Sequence, residues 1–301
     1  MHETVFRQTA YQQNNMDLKD IQKHLDQMMA EQNNLPIPEF EGYSPFEMHK
    51  ILHFTFSINS PLKLQKLSIS DYQKIPILNQ IRYLTDLIDK NGEIKLTKKG
   101  FLPTKIVSGL YSQGFIKDEY IEKGISKLYK ETDSMAINLT RILIELAGLT
   151  KKRKGKLSLT KSAQKILGDN EELLRQIFLT FTNKFNWAYY DGYGENQIGQ
   201  LGYGFSLILL SKYGQEKRLD SFYAEKYFKA YPRLLDSVEP EYSTLEKYST
   251  NCYSIRTFER FLDYFGLVNV DEQGKGLDSI KYITKTDLYD KLIKCTPPHN
   301  N

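Results

Sequence analysis

The sequence predicts a mainly α-helical chain in which two units, each a helix, a short β-hairpin and a capped helix, flank a helical middle region. Three observations carry this. In residues 133–167, Ala136, Leu139, Ile142, Leu143 and Leu146 recur at helical spacing, Gly148 stops the helix, and Leu149, Leu157 and Leu159 flank a basic run as two short strands. Residues 258–293 repeat that order, with Gly266 as the stop, a strand from Leu267, a glycine-containing turn, a second strand and a capped helix. Between them, Leu173, Leu174, Ile177, Phe178 and Phe181 form an apolar helical stripe. Helix, hairpin wing and capped helix is the order of a winged helix. The fold class is therefore mainly α, with two winged-helix-like units and short β-hairpins flanking a helical middle.

Taken in order, residues 1–42 read as an N-terminal helix and linker. Ten Gln or Asn crowd residues 1–34, yet Leu18, Ile21, Leu25 and Met28 recur at three- or four-residue steps and predict a short amphipathic helix, packed on the core or on another copy. LPIPEFEG (35–42) is a proline-bearing linker. Residues 43–170 form the first winged-helix-like domain with its preceding helices. Its first helix starts at a capping box, Ser44 with Glu47 three residues later, with Pro45 in the first turn and Tyr43 and Met48 placed as a hydrophobic staple. Ile77, Leu78, Ile81, Leu84, Leu87 and Ile88 mark the next helix, ending at Asn91-Gly92 before a strand from Glu93 to Leu96. KLTKKG (95–100), SLTKSA (158–163) and YITKTD (282–287) each set an apolar residue before Thr-Lys, predicting a strand that enters a threonine-capped helix three times. Asp133 caps the helix before the first wing and Thr160 the helix after it.

Residues 171–250 read as a helical, Tyr-rich middle region. Within it, NWAYYDGYGENQIGQLGYG (186–204) predicts a loop tied down by Trp187, and Phe205 to Leu210 is an apolar run too short to span a bilayer. Residues 251–295 hold the second winged-helix-like unit.

Composition narrows the function classes. The chain is 301 residues long, 40% hydrophobic and 26% charged, which is globular rather than disordered. A net charge of +4 permits a nucleic-acid partner without demanding one. Cys252 and Cys295 match no zinc or redox spacing and fit a reducing compartment. With no apolar run of about 18 residues and no cationic-then-apolar start, the expectation is a cytoplasmic protein without a membrane partner.

The densest chemistry is the basic run. Lys151, Lys152, Arg153, Lys154, Lys156, Lys161 and Lys165 fall within fifteen residues that contain no acid. A wing so charged can neutralise backbone phosphates and release their counterions; the other reading is a solvated hairpin kept soluble by lysine. On the preceding helix Asn138, Arg141 and Glu145 form a narrow polar stripe beside Ile137 and Ile144, where Arg141 could reach guanine or phosphate and Asn138 adenine. The second hairpin is slightly acidic, with Asp271, Glu272 and Asp278 against Lys275 and Lys281, and reads as a packing or partner-binding module. His49 and His53 stand at i and i+4, but no third ligand accompanies them, so no metal is assigned. No Rossmann glycine pattern, P-loop, nucleophile elbow or paired-carboxylate motif is present, so no cofactor and no catalytic residue is assigned. The aromatics around residues 185–231 could stack on bases or serve core and loop packing.

PEFEGYSPFEMHKIL (38–52), KLTKKGFLPTKIVSGLY (95–111), ETDSMAINLTRILIELAGLTKKRKGKLSLTKSAQKIL (131–167) and FNWAYYDGY (185–193) resemble a group of uncharacterised bacterial proteins, some with an added SEC-C type module. The resemblance covers most of the chain and implies no activity. This chain lacks the cysteine cluster of such a module, so no metal role carries over. TRILIELAGLTKK followed by LSLTKS is similar to the recognition helix and wing of MarR-type regulators, with Ser162-Ala163 where those regulators place glycine.

The reading that results is a bacterial nucleic-acid binder acting through the wing at 151–156, with Asn138, Arg141, Lys151, Lys152, Arg153, Lys154, Lys156 and Lys161 as contact residues and DNA as partner. The alternative is an interaction or scaffold protein whose winged-helix units bind protein. A third, an enzyme, would need polar groups converging in the glycine-tyrosine segment.

Overall fold

A computed structural model describes residues 18–236, 238–274 and 279–298. The first helix, α1 (Leu18–Asn33), forms where the apolar spacing places it, but every residue on it is exposed, Leu18, Ile21, Leu25 and Met28 included, so it does not pack on the core. The residues before it lie outside the described ones. Helix α2 (Pro45–His53) starts at the full capping box, Ser44 Oγ accepting from the Glu47 N–H and Glu47 accepting from the Ser44 N–H. Tyr43 and Met48 are both buried in the core.

Strand β1 (Leu62–Leu64), helix α3 (Ile69–Tyr72) and helix α4 (Pro76–Asn91) follow, with Gly92 closing α4. Strand β2 (Ile94–Lys95) is shorter than the segment 93–96. Helices α5 (Thr104–Tyr111), α6 (Glu119–Glu122) and α7 (Met135–Leu146) lead to the basic hairpin of β3 (Thr150–Arg153) and β4 (Lys156–Leu159). Helices α8 (Lys161–Leu167), α9 (Asn170–Asn183) and α10 (Tyr203–Tyr213), strand β5 (Arg218–Leu219), α11 (Asp220–Ala230) and α12 (Leu245–Ser254) make the middle of the chain. The last of these runs on as a π-helical stretch, Ile255–Leu262. The chain ends in β6 (Val268–Gln273), β7 (Ile280–Lys285), α13 (Asp287–Leu292) and β8 (Ile293–Cys295). The architecture is thus mainly helical with small antiparallel sheets.

Two of the sheets have the same plan. β2, β4 and β3 lie in that spatial order, and β5, β7 and β6 in theirs, so in each a short early strand adds to the second strand of a later hairpin. The early strand of the second sheet, Arg218–Leu219, comes from a region the sequence reads as helical. A third sheet pairs β1 with β8, Leu62 opposite Cys295, and ties the C-terminus back to the first third of the chain.

The turn chemistry matches as well. Gly148 (φ 71°) and Gly266 (φ 69°) both take the left-handed conformation that a Cβ opposes. The next residues, Leu149 and Leu267, donate their N–H back to Ile144 O (2.9 Å) and Leu262 O (2.8 Å). Thr160 Oγ1 donates to Gly148 O and Thr286 Oγ1 to Gly266 O, each at 2.8 Å, while each hydroxyl caps the following helix by accepting from Ala163 N–H or Tyr289 N–H.

Three expectations need correction here. Of the Thr-Lys echoes only Thr160 is a helix cap. Thr97 instead closes a turn, its Oγ1 accepting from Phe101 N–H (3.0 Å), because Gly100 reverses the chain there. Thr284 lies within β7 and the cap stands two residues on, at Thr286. Helix α7 is capped by Ser134; Asp133 faces backward and accepts from the Tyr129 and Lys130 N–H groups (2.9 and 3.0 Å). Leu146, expected on the buried face, is 39% exposed, whereas Ile137 and Ile144, expected beside a surface stripe, are buried.

A single contiguous core joins the two sheet-bearing units. Phe178 and Phe181 of α9 meet Phe261 and Phe265, Phe181 stacking on Phe261 at 5.3 Å between ring centroids. The Ile77 N–H donates to Tyr264 O (2.9 Å), fastening the start of α4 to the end of the π-helical stretch. Tyr223, Tyr227, Tyr253 and Tyr289 are fully buried, so much of the tyrosine excess serves packing.

Candidate nucleic-acid interface

The first three-stranded sheet gathers the cations. Its register sets Lys95 opposite Lys156 and Lys156 opposite Arg153, a row of three basic residues across three strands. Neighbouring strands lie roughly 4.8 Å apart, so the row spans about 10 Å. Residues opposed across a ladder, and residues two apart along a strand, share a face; Lys151 and Ser158 therefore join the row. On the other face Ile94 and Leu157 are buried, and they anchor the sheet to the core.

Lys152 turns along the edge toward the 97–100 turn, its Nζ donating to Gly100 O at 3.4 Å. That hydrogen bond brings exposed Lys98 and Lys99 beside the hairpin, and sequence order alone does not show it. The hairpin tip is Lys154-Gly155, with φ of 50° and 71°. Two successive positive φ values in a two-residue connection suit the right-handed twist of the flanking strands.

Only one acid enters this group: Glu93 pairs with Lys156. Among the described residues Lys95, Lys98, Lys99, Lys151, Lys152, Arg153 and Lys154 have no ion-pair partner, and Lys161, exposed in the first turn of α8, has none either.

Asn138 and Arg141 go elsewhere. They are 3% and 9% exposed and turn inward onto Glu131, a carboxylate with no exposed side-chain surface. Glu131 Oε1 accepts from Arg141 Nε (2.7 Å) and Asn138 Nδ2 (2.6 Å), and Oε2 accepts from the Leu102 N–H (2.6 Å). Glu145 takes a further bond from Arg141 Nη1 (2.6 Å). Burial alone would lower the pKa of Arg141, but the charges and hydrogen bonds of Glu131 and Glu145 outweigh it and hold the guanidinium protonated. The polar stripe of α7 is thus satisfied inside the protein, and it is not gathered with the wing lysines.

The glycine-tyrosine segment has its own organiser, Arg256, which the sequence does not single out. This guanidinium is 1% exposed. It pairs with Asp191, whose side chain is equally enclosed, and donates to the carbonyls of Gly194 (3.0 Å), Asn196 (2.8 Å) and Ile198 (3.2 Å). Arg260 adds bonds to the carbonyls of Tyr189 (2.9 Å) and Tyr190 (2.8 Å), and Trp187 Nε1 donates to Phe181 O (2.9 Å). Every arginine donor named here goes to the loop's own backbone or to Asp191, so these groups fix the loop. Cys252 lies beside it, buried, and burial pushes its thiol up to about 12.

In the second sheet the described lysines have acidic partners. Lys217 pairs with Asp271 and Lys281 with Glu259. Lys275 and Asp278 lie outside the described residues. His49 and His53 stand on α2 with their ring centroids 4.7 Å apart. Among the described residues no group of three or more potential ligands is placed to hold a metal ion, and no helix is long and apolar enough to cross a membrane.

Comparison with known proteins bears on the first unit. No curated protein and no solved structure matches the chain. Residues 73–172, which run from the end of α3 through the basic hairpin to the start of α9, match the family model of the Y4jL N-terminal domain, in keeping with the resemblance to an uncharacterised bacterial family.

Proposed function

We propose that the chain binds nucleic acid through the cationic sheet of its first unit, and that this unit and its counterpart are winged helices. What supports the fold reading is the shared strand order, in which a short strand before the helices adds to the second strand of the hairpin. What carries the functional reading is the gathering of Lys95, Lys98, Lys99, Lys151, Lys152, Arg153 and Lys154, drawn from two chain segments, around one small sheet without an acid to pair with any of them. Such a surface is repelled by itself and gains by meeting phosphates, whose condensed counterions it releases.

The geometry of the tip adds to this. Lys154 sits at φ 50°, a conformation that Asn, Asp or Gly occupies more readily. A lysine held there places a charge at the outermost point of the hairpin.

The test is binding to a fluorescent DNA duplex across a salt series. Replacing Lys151, Lys152, Arg153 and Lys154 with alanine weakens binding and flattens the dependence of log K on log salt by ~0.9 for each phosphate that is no longer neutralised. These side chains are exposed, so the variant keeps its fold, checked by circular dichroism. A wild-type slope in the variant sinks the proposal.

The middle region, beside the second sheet, favours a different use. Leu219, Phe222, Phe228, Leu235 and Leu245 line an open groove of about 870 Å³ beside α11 and α12, together with Glu225, Lys229 and Glu246, and a protein segment with apolar anchors suits such a groove. A nuclease-resistant, stoichiometric partner whose binding is abolished by Leu245→Lys would establish that role.

A further inference from the structure

Resting on the nucleic-acid reading above, we infer that the ligand is the phosphate backbone of a duplex, bound without regard to base sequence and without insertion of helix α7 into a groove. The observation is what α7 and the basic sheet leave available.

Base reading needs polar side chains free to reach base edges in the major groove. Helix α7 has none to offer. Asn138 and Arg141 are committed to Glu131, Glu145 is committed to Arg141, and Thr140 Oγ1 accepts from Gln80 Nε2 at 2.7 Å while donating to Ala136 O at 2.8 Å. The one exposed residue of the helix is Leu146, which carries no hydrogen-bonding group, and the most exposed of its polar side chains is Glu145, a carboxylate that phosphates repel. Releasing Arg141 would take the counter-charge from Glu131, a buried carboxylate whose other bonds, from Asn138 and the Leu102 N–H, are to neutral donors.

Single strands are held by aromatic rings on which bases stack, beside a cationic track. Neither segment that builds the basic sheet, 92–100 or 150–165, contains an aromatic residue. The sheet offers charge on a rigid frame, with cations set by strand spacing and register. That frame suits backbone oxygens, which are the same in every sequence, and a duplex presents two strands of them to one face.

The experiment uses the full-length protein and fluorescence anisotropy with several DNA duplexes of equal length and unrelated sequence, the matching RNA duplex, and mixed-sequence single strands. The DNA duplexes are expected to bind within about 3-fold of one another with one common salt slope, where a sequence reader separates its site from other DNA by roughly 1,000-fold or more. Tighter binding to the DNA or to the RNA duplex identifies which backbone is preferred, and either supports the inference. A consensus emerging from a random duplex pool, or single strands binding more tightly than duplexes, overturns it while leaving the phosphate-binding reading intact. Failure of every nucleic acid to bind overturns both.

Discussion

The two sheet-bearing units are built alike and charged differently. Each has the strand order of an early strand beside the second strand of a hairpin, a left-handed glycine before that hairpin, and a threonine after it that bonds the glycine carbonyl and caps the next helix. Each also buries an arginine from the helix before the hairpin on a carboxylate from outside that helix: Arg141 on Glu131, just before α7, and Arg256 on Asp191, far back in the chain. The two arginines stand one turn apart in the repeat, seven residues before Gly148 and ten before Gly266. The shared frame therefore specifies structure, and the hairpin surface varies upon it. In the first unit most of the surface cations lack partners; in the second Lys217 and Lys281 are taken by Asp271 and Glu259.

The likeness breaks most visibly at the arginines. Arg256 is enclosed, and its donors go to Asp191 and to the carbonyls of Gly194, Asn196 and Ile198. Arg256→Ala removes the counter-charge of buried Asp191 and leaves that carboxylate one bond, from the Tyr193 N–H, an effect of about 3–5 kcal/mol. Arg141→Ala costs less, because Glu131 keeps its bonds from Asn138 and the Leu102 N–H. Urea unfolding of the two variants measures the difference, with Trp187 fluorescence as a probe adjacent to the Arg256 loop. Equal destabilisation would mean that the two guanidinium sites do not differ in the way their partners suggest.

These buried arginines also mark where sequence reading stops. The helices, the hairpins, the stop glycines and Thr160 as a cap follow from patterns of a few residues, and such local patterns dictate backbone conformation. A polar residue's partner across the fold leaves no such pattern. Asn138, Arg141 and Glu145 look like a surface stripe because their spacing is helical, and Glu131, though only seven residues before Asn138, lies outside the helix, where that spacing says nothing of what it faces. Arg256 sits in an unremarkable RTFER. Lys95, Lys98 and Lys99 join the candidate interface only because β2 pairs with β4, far along the chain, and strands as short as β1, β5 and β8 carry too little periodicity to be read at all.

The stop glycines separate the units more finely. Both need a positive φ, so an alanine at either site carries the left-handed penalty of about 1–2 kcal/mol. At Gly148 an added Cβ meets nothing within 4 Å, and Gly148→Ala should cost that much and no more. At Gly266 the Cβ would stand 2.9 Å from Lys74 O and 3.2 Å from Pro76 Cδ, where the second unit presses against the start of α4. Backbone must move, and overpacking adds ~1–3 kcal/mol. Denaturation midpoints should therefore fall further for Gly266→Ala; the opposite order would contradict the packing of α4 on this turn.

The smallest expected effect bears most directly on what the first hairpin is for. Lys154 occupies a left-handed position at the tip, where asparagine is at ease and lysine is not. If the hairpin were present only for the fold, Lys154→Asn would be an improvement and nothing more: a gain of up to ~1 kcal/mol, part of the left-handed cost, from relieved backbone strain. If the hairpin meets phosphates, the same substitution stabilises the protein while weakening its hold on a duplex, with a salt slope shallower by up to ~0.9. Stability and binding moving in opposite directions is the signature of a residue kept for its charge. Binding that stays constant as stability rises would place the lysine among solvated surface charges, and the contrast between the two units would then be one of surface composition alone.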